Sequence, residues 1–363
     1  MNNSLQQDKS QNKKVRIIGY DVARSIAVIG MVMVNYKVVM GASEKGPNWL
    51  IWLGELLDGR SAATFVILAG IGIAMFSHQR RIGQDKERIR QYQQTFFKRA
   101  VFLFVVGLLY MPLWPADILH FYGVYIAIAA LFLTVSDRQL WLGAIGLSLA
   151  YVILIFTFDY EKNWDFSTLT YSDFWTFSGM FRHTFFNGFH PVIPWLAFIF
   201  IGMWLGRQEV ESIQVRKRIF WIGVSMAATA EILSFTLTKM VPSELSFAFS
   251  TTPMPPMPLY ILAGAGTAMI IIILCLELTF RYPNAQIFPP LVATGQLGLT
   301  LYVAHVVIGM GFLEMIGRLE NQTLPFAIIS AAIFSVLAII FSYYWKKRFQ
   351  RGPLEWVMRK VTE

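Results

Sequence analysis

Long apolar stretches, each close to the length of a membrane-spanning helix, recur along the whole chain. A helix needs about 20 mostly apolar residues to cross the hydrocarbon core of a bilayer. Polar and charged residues cluster between these stretches, so the pattern predicts an all-α, polytopic membrane protein with about ten transmembrane helices. The predicted spans lie near residues 17–40, 56–77, 97–113, 118–135, 138–158, 191–206, 219–239, 259–280, 290–315 and 323–345.

The same pattern divides the chain into three parts. Residues 1–16 form a polar tail and residues 17–345 form the transmembrane domain. Residues 346–363 end in "GPLEWVMRKVTE", which is typical of a short amphipathic helix on a membrane surface. Within the domain, residues 111–117 predict a tight turn between the third and fourth spans, and the longest loop is predicted at 159–190.

Composition agrees with a membrane protein and argues against a nucleic-acid binder. Of the 363 residues, 55% are hydrophobic and 15% are charged, and the mean hydropathy is +0.51. The formal net charge is +9, but its Lys and Arg residues concentrate in a few loops rather than on one basic face. We therefore expect the lipid bilayer, and no nucleic acid, as the partner of these charges.

The distribution of basic residues predicts the orientation. If the N-terminus is inside, the inner segments hold 23 Lys and Arg residues and the outer segments hold 5. Cytoplasmic loops of membrane proteins carry such an excess. We therefore expect both termini in the cytoplasm of a multi-pass cell-membrane protein, located in a bacterial cytoplasmic membrane.

The first span, "GYDVARSIAVIGMVMVNYK", contains more polar residues than a lipid-facing helix tolerates. At 100° per residue, Asp21, Arg24 and Asn35 fall on the same side of the helix, whereas Lys37 points elsewhere and is expected to snorkel outward. Asp21 and Arg24 are therefore candidates for lining the inner mouth of a channel. A purely structural ion pair between them is the alternative.

Four polar residues from different spans are predicted at one depth near the outer surface: Asn35, Arg60, His120 and His190. Histidine is the usual general base near neutral pH, and Asn or Arg can stabilise an oxyanion. These residues are candidates for one catalytic site. The alternatives are capping or interfacial histidines and an arginine that anchors to lipid phosphate.

Three further residues are candidates for lining a substrate channel: Asp117, Glu231 and His305. A histidine that hydrogen-bonds across packed helices is the alternative for His305. His78 and His183 are predicted in loops and receive no role. The lone Cys275 and the scattered histidines offer no tight ligand cluster, so no metal is expected.

The chain resembles a family of transmembrane acyltransferases, and it is most similar to YeiB-like proteins and heparan-α-glucosaminide N-acetyltransferase. The resemblance begins with Asp-x-x-Arg followed eleven residues later by Asn in the first span. Its further motifs are "GRSAATFVILAGIGIA", "DILHFYGVYIAI", "NGFHPVIPWLAFIFIGMWLGR", "ATGQLGLTLYVAH" and "RGPLEWVMRKVT".

The resemblance implies ten or eleven helices and transfer of an acyl group, usually acetyl, from cytoplasmic acyl-CoA to an extracytoplasmic carbohydrate or similar acceptor. Acyl-CoA, the donor substrate, would meet Lys13, Lys14, Arg16 and the 78–99 loop. A transporter for a small anionic or lipid-like solute, without acyl chemistry, is the main alternative, and a non-catalytic scaffold is the third.

Two positions depart from the family pattern. Related glycan O-acetyltransferases have a His where this chain has Asn35, and heparan-α-glucosaminide N-acetyltransferase has its catalytic His where this chain has Gly46, three residues before Trp49. We therefore expect His190, supported by His120, to act as the base that activates the acceptor.

Overall fold

The computed structural model describes residues 16–81, 86–166 and 168–362. Helices dominate, as the sequence predicts. The α-helices are α1 (Ile18–Val39), α2 (Asn48–Glu55), α3 (Arg60–Arg81), α4 (Lys86–Tyr110), α5 (Leu119–Leu131), α6 (Asp137–Thr157), α7 (Phe177–Arg182), α8 (Val192–Leu205), α9 (Ile213–Met240), α10 (Pro258–Arg281), α11 (Phe288–Gln296), α12 (Gly298–Ala304), α13 (Gly311–Met315), α14 (Leu324–Arg348) and α15 (Pro353–Thr362).

Shorter elements interrupt this helical pattern at a few places. Two π-helical turns cover His183–Asn187 and His305–Met310, and a 3₁₀ helix covers Ser243–Phe249. The strands β1 (Trp164–Asp165) and β2 (Thr170–Tyr171) form an antiparallel pair. In its register, Trp164 lies opposite Tyr171 and Asp165 opposite Thr170.

In the described part of the chain, seven helical segments are long and apolar enough to span a membrane, or eight if a pair bent by 51° counts as one span. The all-α, polytopic prediction is confirmed, but the count of ten is not. The difference arises at α4, whose first half is strongly charged, and at α5. With 13 residues and a rise of about 1.5 Å per residue, α5 is shorter than the hydrocarbon core of about 30 Å.

Helix α1 is at the centre of the bundle. It packs against α3, α10, α11, α12 and α14. Its close approach to α11 depends on Gly295, because a Cβ atom there would lie 1.9 Å from the backbone oxygen of Asp21. Small residues allow membrane helices to approach closely where the hydrophobic effect does not drive their association.

Helices α3 and α8 form a second close contact in the core. A Cβ atom on Gly70 would lie 2.3 Å from the backbone oxygen of Ile199, and one on Gly202 would lie 2.2 Å from that of Ile67. The two glycines therefore let the backbones touch directly. Helix α8 also packs against α5, α6 and α10, so α3 and α8 connect α1 to the α5–α6 side of the bundle.

Two predictions about loops and spans need correction. The 78–99 segment is helical at both ends of its described part, since α3 continues to Arg81 and α4 begins at Lys86. The 290–315 span is divided into α11, α12, a π-helical turn and α13, with its first break at Leu297 (φ −102°, ψ 22°). The 111–117 turn and the C-terminal helix are confirmed.

Lys37 was predicted to snorkel outward, and this is wrong. Its side chain is buried, and Nζ lies 2.6 Å from both carboxylate oxygens of Asp58. The helical wheel correctly placed Lys37 off the polar face of α1. It could not show that the carboxylate of Asp58 would pair with the Lys37 ammonium. A buried ammonium needs such a partner to offset the loss of its hydration.

Substituting Gly295 with Ala is expected to lower the midpoint of thermal unfolding. Overpacking of a tight interface costs about 1–3 kcal/mol, and here the obstacle is rigid backbone. Tryptophan fluorescence of the detergent-solubilised protein measures the effect.

Gly146→Ala in α6 is the matched control, since a Cβ atom there meets no atom within 4 Å. Its midpoint should stay the same or rise, because Ala favours a helix over Gly by about 1 kcal/mol. An unchanged midpoint for Gly295→Ala would contradict the α1–α11 contact.

Candidate functional site

Asp21 is the centre of a polar cluster at the start of α1. Its carboxylate accepts hydrogen bonds from Arg16 at 2.6 and 2.9 Å, from Arg24 at 3.1 Å and from Gln296 at 3.4 Å. The Asp21–Arg24 ion pair, which was the alternative to a channel-lining role, is thus present, with Arg16 as a closer partner. The hydrogen bond to Asp21 raises the pKa of Arg16, so this guanidinium keeps its charge.

A polar cleft of about 760 Å³ opens beside this cluster. Arg16, Asp21 and Arg24 line one side of it, and residues 206–211 line the other. Arg207 is fixed there by the carboxylate of Asp137 and the carbonyl of Val135, both at 2.8 Å. The cleft therefore presents three arginines, which suit an anionic ligand, together with the carboxylates of Asp21, Glu209 and Glu211.

A second, mostly apolar cavity of about 310 Å³ lies deeper among the helices. It shares Arg24, Gly72 and Phe76 with the polar cleft, so the two spaces meet at Arg24. Its further walls include Phe65, Phe96, Leu103, Tyr122, Tyr302 and Met358. Arg24 therefore lies between a charged opening and an apolar interior.

Tyr302 connects this cavity to a buried Asp–His pair. Its hydroxyl donates to Asp117 at 3.4 Å and accepts from the backbone N–H of Ile118 at 3.1 Å. Asp117 also accepts from the backbone N–H of His120 at 3.0 Å and lies 3.0 Å from its Nδ1. The side chains of Asp117 and His120 are fully buried.

This geometry gives the two ring nitrogens of His120 different roles. The carboxylate of Asp117 orients the imidazole through Nδ1. Nε2 is buried and has no hydrogen-bond partner among the described residues. A carboxylate-oriented imidazole with a free Nε2 is the arrangement that proton transfer to a reacting group requires.

Gly107 of α4 makes room for the pair. A Cβ atom on it would lie 2.3 Å from the backbone nitrogen of His120 and 2.7 Å from Oδ2 of Asp117. The turn between α4 and α5 brings Asp117 back against α4, and only a glycine leaves space for that approach. The sequence motif "DILHF" follows this turn directly.

Asn35 and His305 join the same network from α1 and the second π-helical turn. Asn35 Nδ2 lies 2.9 Å from His305 Nε2, and His305 Nδ1 bonds to the carbonyl of Tyr302. The hydroxyl of Tyr302 then reaches Asp117. Four of the predicted residues, namely Asn35, His305, Asp117 and His120, thus belong to one chain of contacts. The residue that joins them, Tyr302, was not predicted.

His183 was predicted in a loop, and this is wrong. It begins the first π-helical turn, is fully buried and stacks on His120 with ring centroids 5.7 Å apart. Neither of its ring nitrogens has a hydrogen-bond partner among the described residues. Isolated π-helical turns often occur at functional sites. The sequence carries no local signal for such a turn.

The side chain of His78 lies outside the described residues, as do Lys13 and Lys14.

The 159–190 segment forms a roof over His183. Asn187 holds it in place, since its side chain accepts from the hydroxyl of Tyr171 at 2.9 Å and donates to the carbonyls of Tyr160 and Lys162 at 2.9 and 3.2 Å. The indole of Trp164 donates to the carbonyl of Asn187 at 2.6 Å. The roof therefore separates the histidines from the solvent above.

His190, the expected base, lies at the edge of this group. Its ring packs against Trp195, with centroids 4.6 Å apart, and against Phe121 at 5.9 Å. Its carbonyl accepts a hydrogen bond from Tyr125. His190 and His120 thus flank the same phenylalanine, but the carboxylate of Asp117 orients His120.

Arg60 and Glu231 form a separate pair. Arg60 donates to Glu231 at 2.7 Å, and its guanidinium lies 5.5 Å from the ring centroid of Tyr260. Glu231 also accepts from Thr251 at 3.1 Å. The four residues predicted for one outer site are therefore distributed over three groups, around Asp117, Trp195 and Glu231.

The part of the chain that the structure describes contains no group of three or more His, Cys, Asp or Glu side chains placed to hold a metal ion.

Comparisons with known families agree with the motifs. Residues 16–236 match the family model "Heparan-alpha-glucosaminide N-acetyltransferase, catalytic", and residues 203–363 match "Protein of unknown function (DUF418)". No curated protein matches the chain significantly. Since the first match covers more than half of the chain, the protein belongs to the family of heparan-alpha-glucosaminide N-acetyltransferase-like and YeiB-like membrane proteins.

Proposed function

We propose that this protein is a membrane acyltransferase that moves an acyl group, in the first instance acetyl, from acyl-CoA to a carbohydrate or similar acceptor across the membrane. The orientation is the one that the basic residues predict, with donor binding at the cytoplasmic face of a bacterial cell membrane. The observation that carries the proposal is the buried Asp117–His120 pair, whose Nε2 is free.

The donor would bind in the polar cleft. Acyl-CoA carries several phosphate charges, and Arg16, Arg24 and Arg207 around the opening would bind them in competition with the carboxylates of Asp21, Glu209 and Glu211. The thioester end would pass Arg24 into the apolar cavity, whose far wall includes Tyr302. Tyr302, which lines this cavity and bonds to Asp117, would then be the link between the thioester and the Asp–His pair, whose own side chains do not line the cavity.

In the proposed reaction, Nε2 of His120 accepts the proton of the acceptor hydroxyl or amine as the acceptor attacks the thioester carbon. The carbon–sulfur bond then breaks, and the proton on His120 passes to the departing thiolate of CoA. Asp117 stabilises the imidazolium that forms between these steps. The products are the acylated acceptor and CoA thiol, so no further reactant is required.

Asn35 is a better candidate than Arg60 for stabilising the oxyanion. It has a second amide hydrogen beyond the contact with His305, and it belongs to the network that contains Asp117. Arg60 bonds to Glu231 outside that network, although its Nη1 has no hydrogen-bond partner among the described residues. Asn35 occupies the position where related glycan O-acetyltransferases have a His. Its amide cannot accept a proton as a base would, which fits the assignment of that task to His120.

The roles of the two histidines are therefore exchanged relative to the sequence-based expectation. His120 is the proposed base, because a carboxylate orients it. His190 would shape the acceptor side of the site through its packing on Phe121 and Trp195.

His120→Gln is expected to lower the release of CoA thiol from acetyl-CoA by at least about 100-fold, the usual contribution of a positioned base. Asp117→Asn should produce a large loss as well, because it removes the charge that orients the ring. The measurement is thiol release from purified protein in proteoliposomes, with water or an added hydroxyl compound as acceptor.

His190→Gln is the control and should retain most of this activity. Wild-type rates for His120→Gln together with a large loss for His190→Gln would reverse the assignment. Wild-type protein that neither binds nor consumes acetyl-CoA would refute the proposed activity itself.

Arg24→Gln is expected to weaken acetyl-CoA binding by about tenfold or more, since a hydrogen bond to a charged group contributes about 1.5–3 kcal/mol. Equilibrium binding of radiolabelled acetyl-CoA tests this. The control is Arg281→Gln, which removes an exposed cation at the end of α10 that does not line the cleft. Equal affinities of the two variants would count against the cleft as the donor site.

A transporter without acyl chemistry remains the second candidate, because the roof closes the histidines off from one side while the cleft opens on the other. Such an arrangement also suits a carrier that exposes its site alternately. Substrate flux into proteoliposomes in the absence of an acyl donor, unaffected by His120→Gln, would favour this candidate.

A further inference from the structure

A basic and aromatic elbow joins α14 to α15, outside the proposed reaction path. The chain turns there between Arg348 and Pro353 and encloses a cavity of about 490 Å³ lined by residues between Trp345 and Trp356. This cavity, here called the elbow cavity, shares no lining residue with the polar cleft or the apolar cavity.

Cations surround the elbow cavity. Arg351 lines it, and Lys346, Lys347 and Arg348 form the last turn of α14. On α15, the ammonium of Lys360 lies 5.1 Å from the ring centroid of Trp356, one of the cavity walls. These positive charges suit a phosphate group.

Basic residues outnumber acids around the elbow, since residues 345–362 contain six Lys and Arg residues and one acid, Glu355. Glu355 accepts hydrogen bonds from the backbone N–H and the hydroxyl of Thr300, at 3.0 and 2.5 Å, and so attaches α15 to α12. The elbow therefore keeps a net positive charge.

An exposed apolar stripe on α14 ends at Tyr344, beside Lys347 and one residue before the cavity wall Trp345. Ile333, Leu337, Ile340 and Tyr344 lie on one face of the helix and are 57%, 59%, 49% and 64% exposed. Their spacing of three or four residues places them one above the other along the helix. In a membrane-spanning helix such a face contacts lipid chains, so a lipid beside it would have its headgroup near the elbow.

We propose that the elbow cavity binds the phosphate headgroup of an anionic phospholipid, whose acyl chains lie along the α14 stripe. Trp345 and Trp356 are suited to the headgroup depth, where tryptophan is enriched. Basic pockets of this kind beside transmembrane helices bind anionic headgroups. The combination of cations with a continuous apolar stripe favours a lipid over a free nucleotide or inorganic phosphate.

The bound lipid would also hold α15 in place. Met358 of α15 lines the apolar cavity, and Glu355 fixes the same helix to Thr300. A headgroup that neutralises the elbow would therefore stabilise the wall of the apolar cavity. The lipid site itself does not depend on the proposed acyl transfer.

Native mass spectrometry of the full-length, delipidated protein tests the proposal. Phosphatidylglycerol and phosphatidylcholine with the same acyl chains are titrated separately. Phosphatidylglycerol should bind more tightly, and Lys347→Ala with Arg351→Ala should weaken it by about tenfold or more, because each basic residue near an anionic headgroup contributes several-fold. Lys217→Ala with Arg218→Ala, which removes two exposed cations at the start of α9, is the matched control and should bind as wild type does.

Trp356→Ala provides a second variant that keeps every charge and should also weaken binding. Size-exclusion profiles equal to wild type show that the variants fold. Equal binding of the two lipids, or equal loss in the α9 control, would overturn the proposal. So would competition by glycerol 3-phosphate or acetyl-CoA, since these would identify a phosphate or nucleotide site that needs no lipid chains.

Discussion

The buried carboxylate of Asp117 is the constraint on which the site depends. A charge in the interior of a membrane bundle persists only if hydrogen bonds replace its hydration. Asp117 obtains them from the hydroxyl of Tyr302 and from the backbone and ring of His120. Each partner also positions further residues. The carbonyl of Tyr302 bonds to His305, His305 bonds to Asn35, and the ring of His120 stacks on the ring of His183. Satisfying one carboxylate thus orders residues from α1, α5 and the 298–310 segment.

Glycines make this arrangement possible. Gly107 leaves space for the Asp–His pair beside α4. Gly295 lets α11 approach the start of α1, where Asp21 accepts hydrogen bonds from two arginines. Between these two acidic centres lie the polar cleft and the apolar cavity, which meet at Arg24. The cleft is charged, the cavity that adjoins it is apolar, and Tyr302 links that cavity to an oriented histidine. This arrangement suits a charged donor with an uncharged reactive end. The family match agrees with this reading of the geometry.

Much of this structure follows from the sequence, because local patterns determine it. Apolar stretches predicted the all-α membrane fold, and helical periodicity placed Asp21 and Arg24 together. The 111–117 turn and the C-terminal helix also follow from local residues. Contacts between distant segments could not be predicted in this way. The partners of Lys37 and Glu231, the link through Tyr302 and the burial of His183 depend on how helices pack. The span count failed to reach ten for a different reason, since apolar content alone does not reveal that α5 stops after 13 residues.

We propose that the thioester of acyl-CoA reaches the Asp117–His120 pair from the Arg24 opening. An electron cryo-microscopy structure of the wild-type protein with a non-hydrolysable thioether analogue of acetyl-CoA is the decisive experiment. We expect phosphate density beside Arg16 and Arg24, and the sulfur past Arg24 in the apolar cavity beside Tyr302. An acceptor atom on His120 Nε2 would then lie about 3–3.5 Å from the acyl carbon, the separation of a near-attack geometry. Density for the analogue anywhere else, with the apolar cavity empty, would rule out this path.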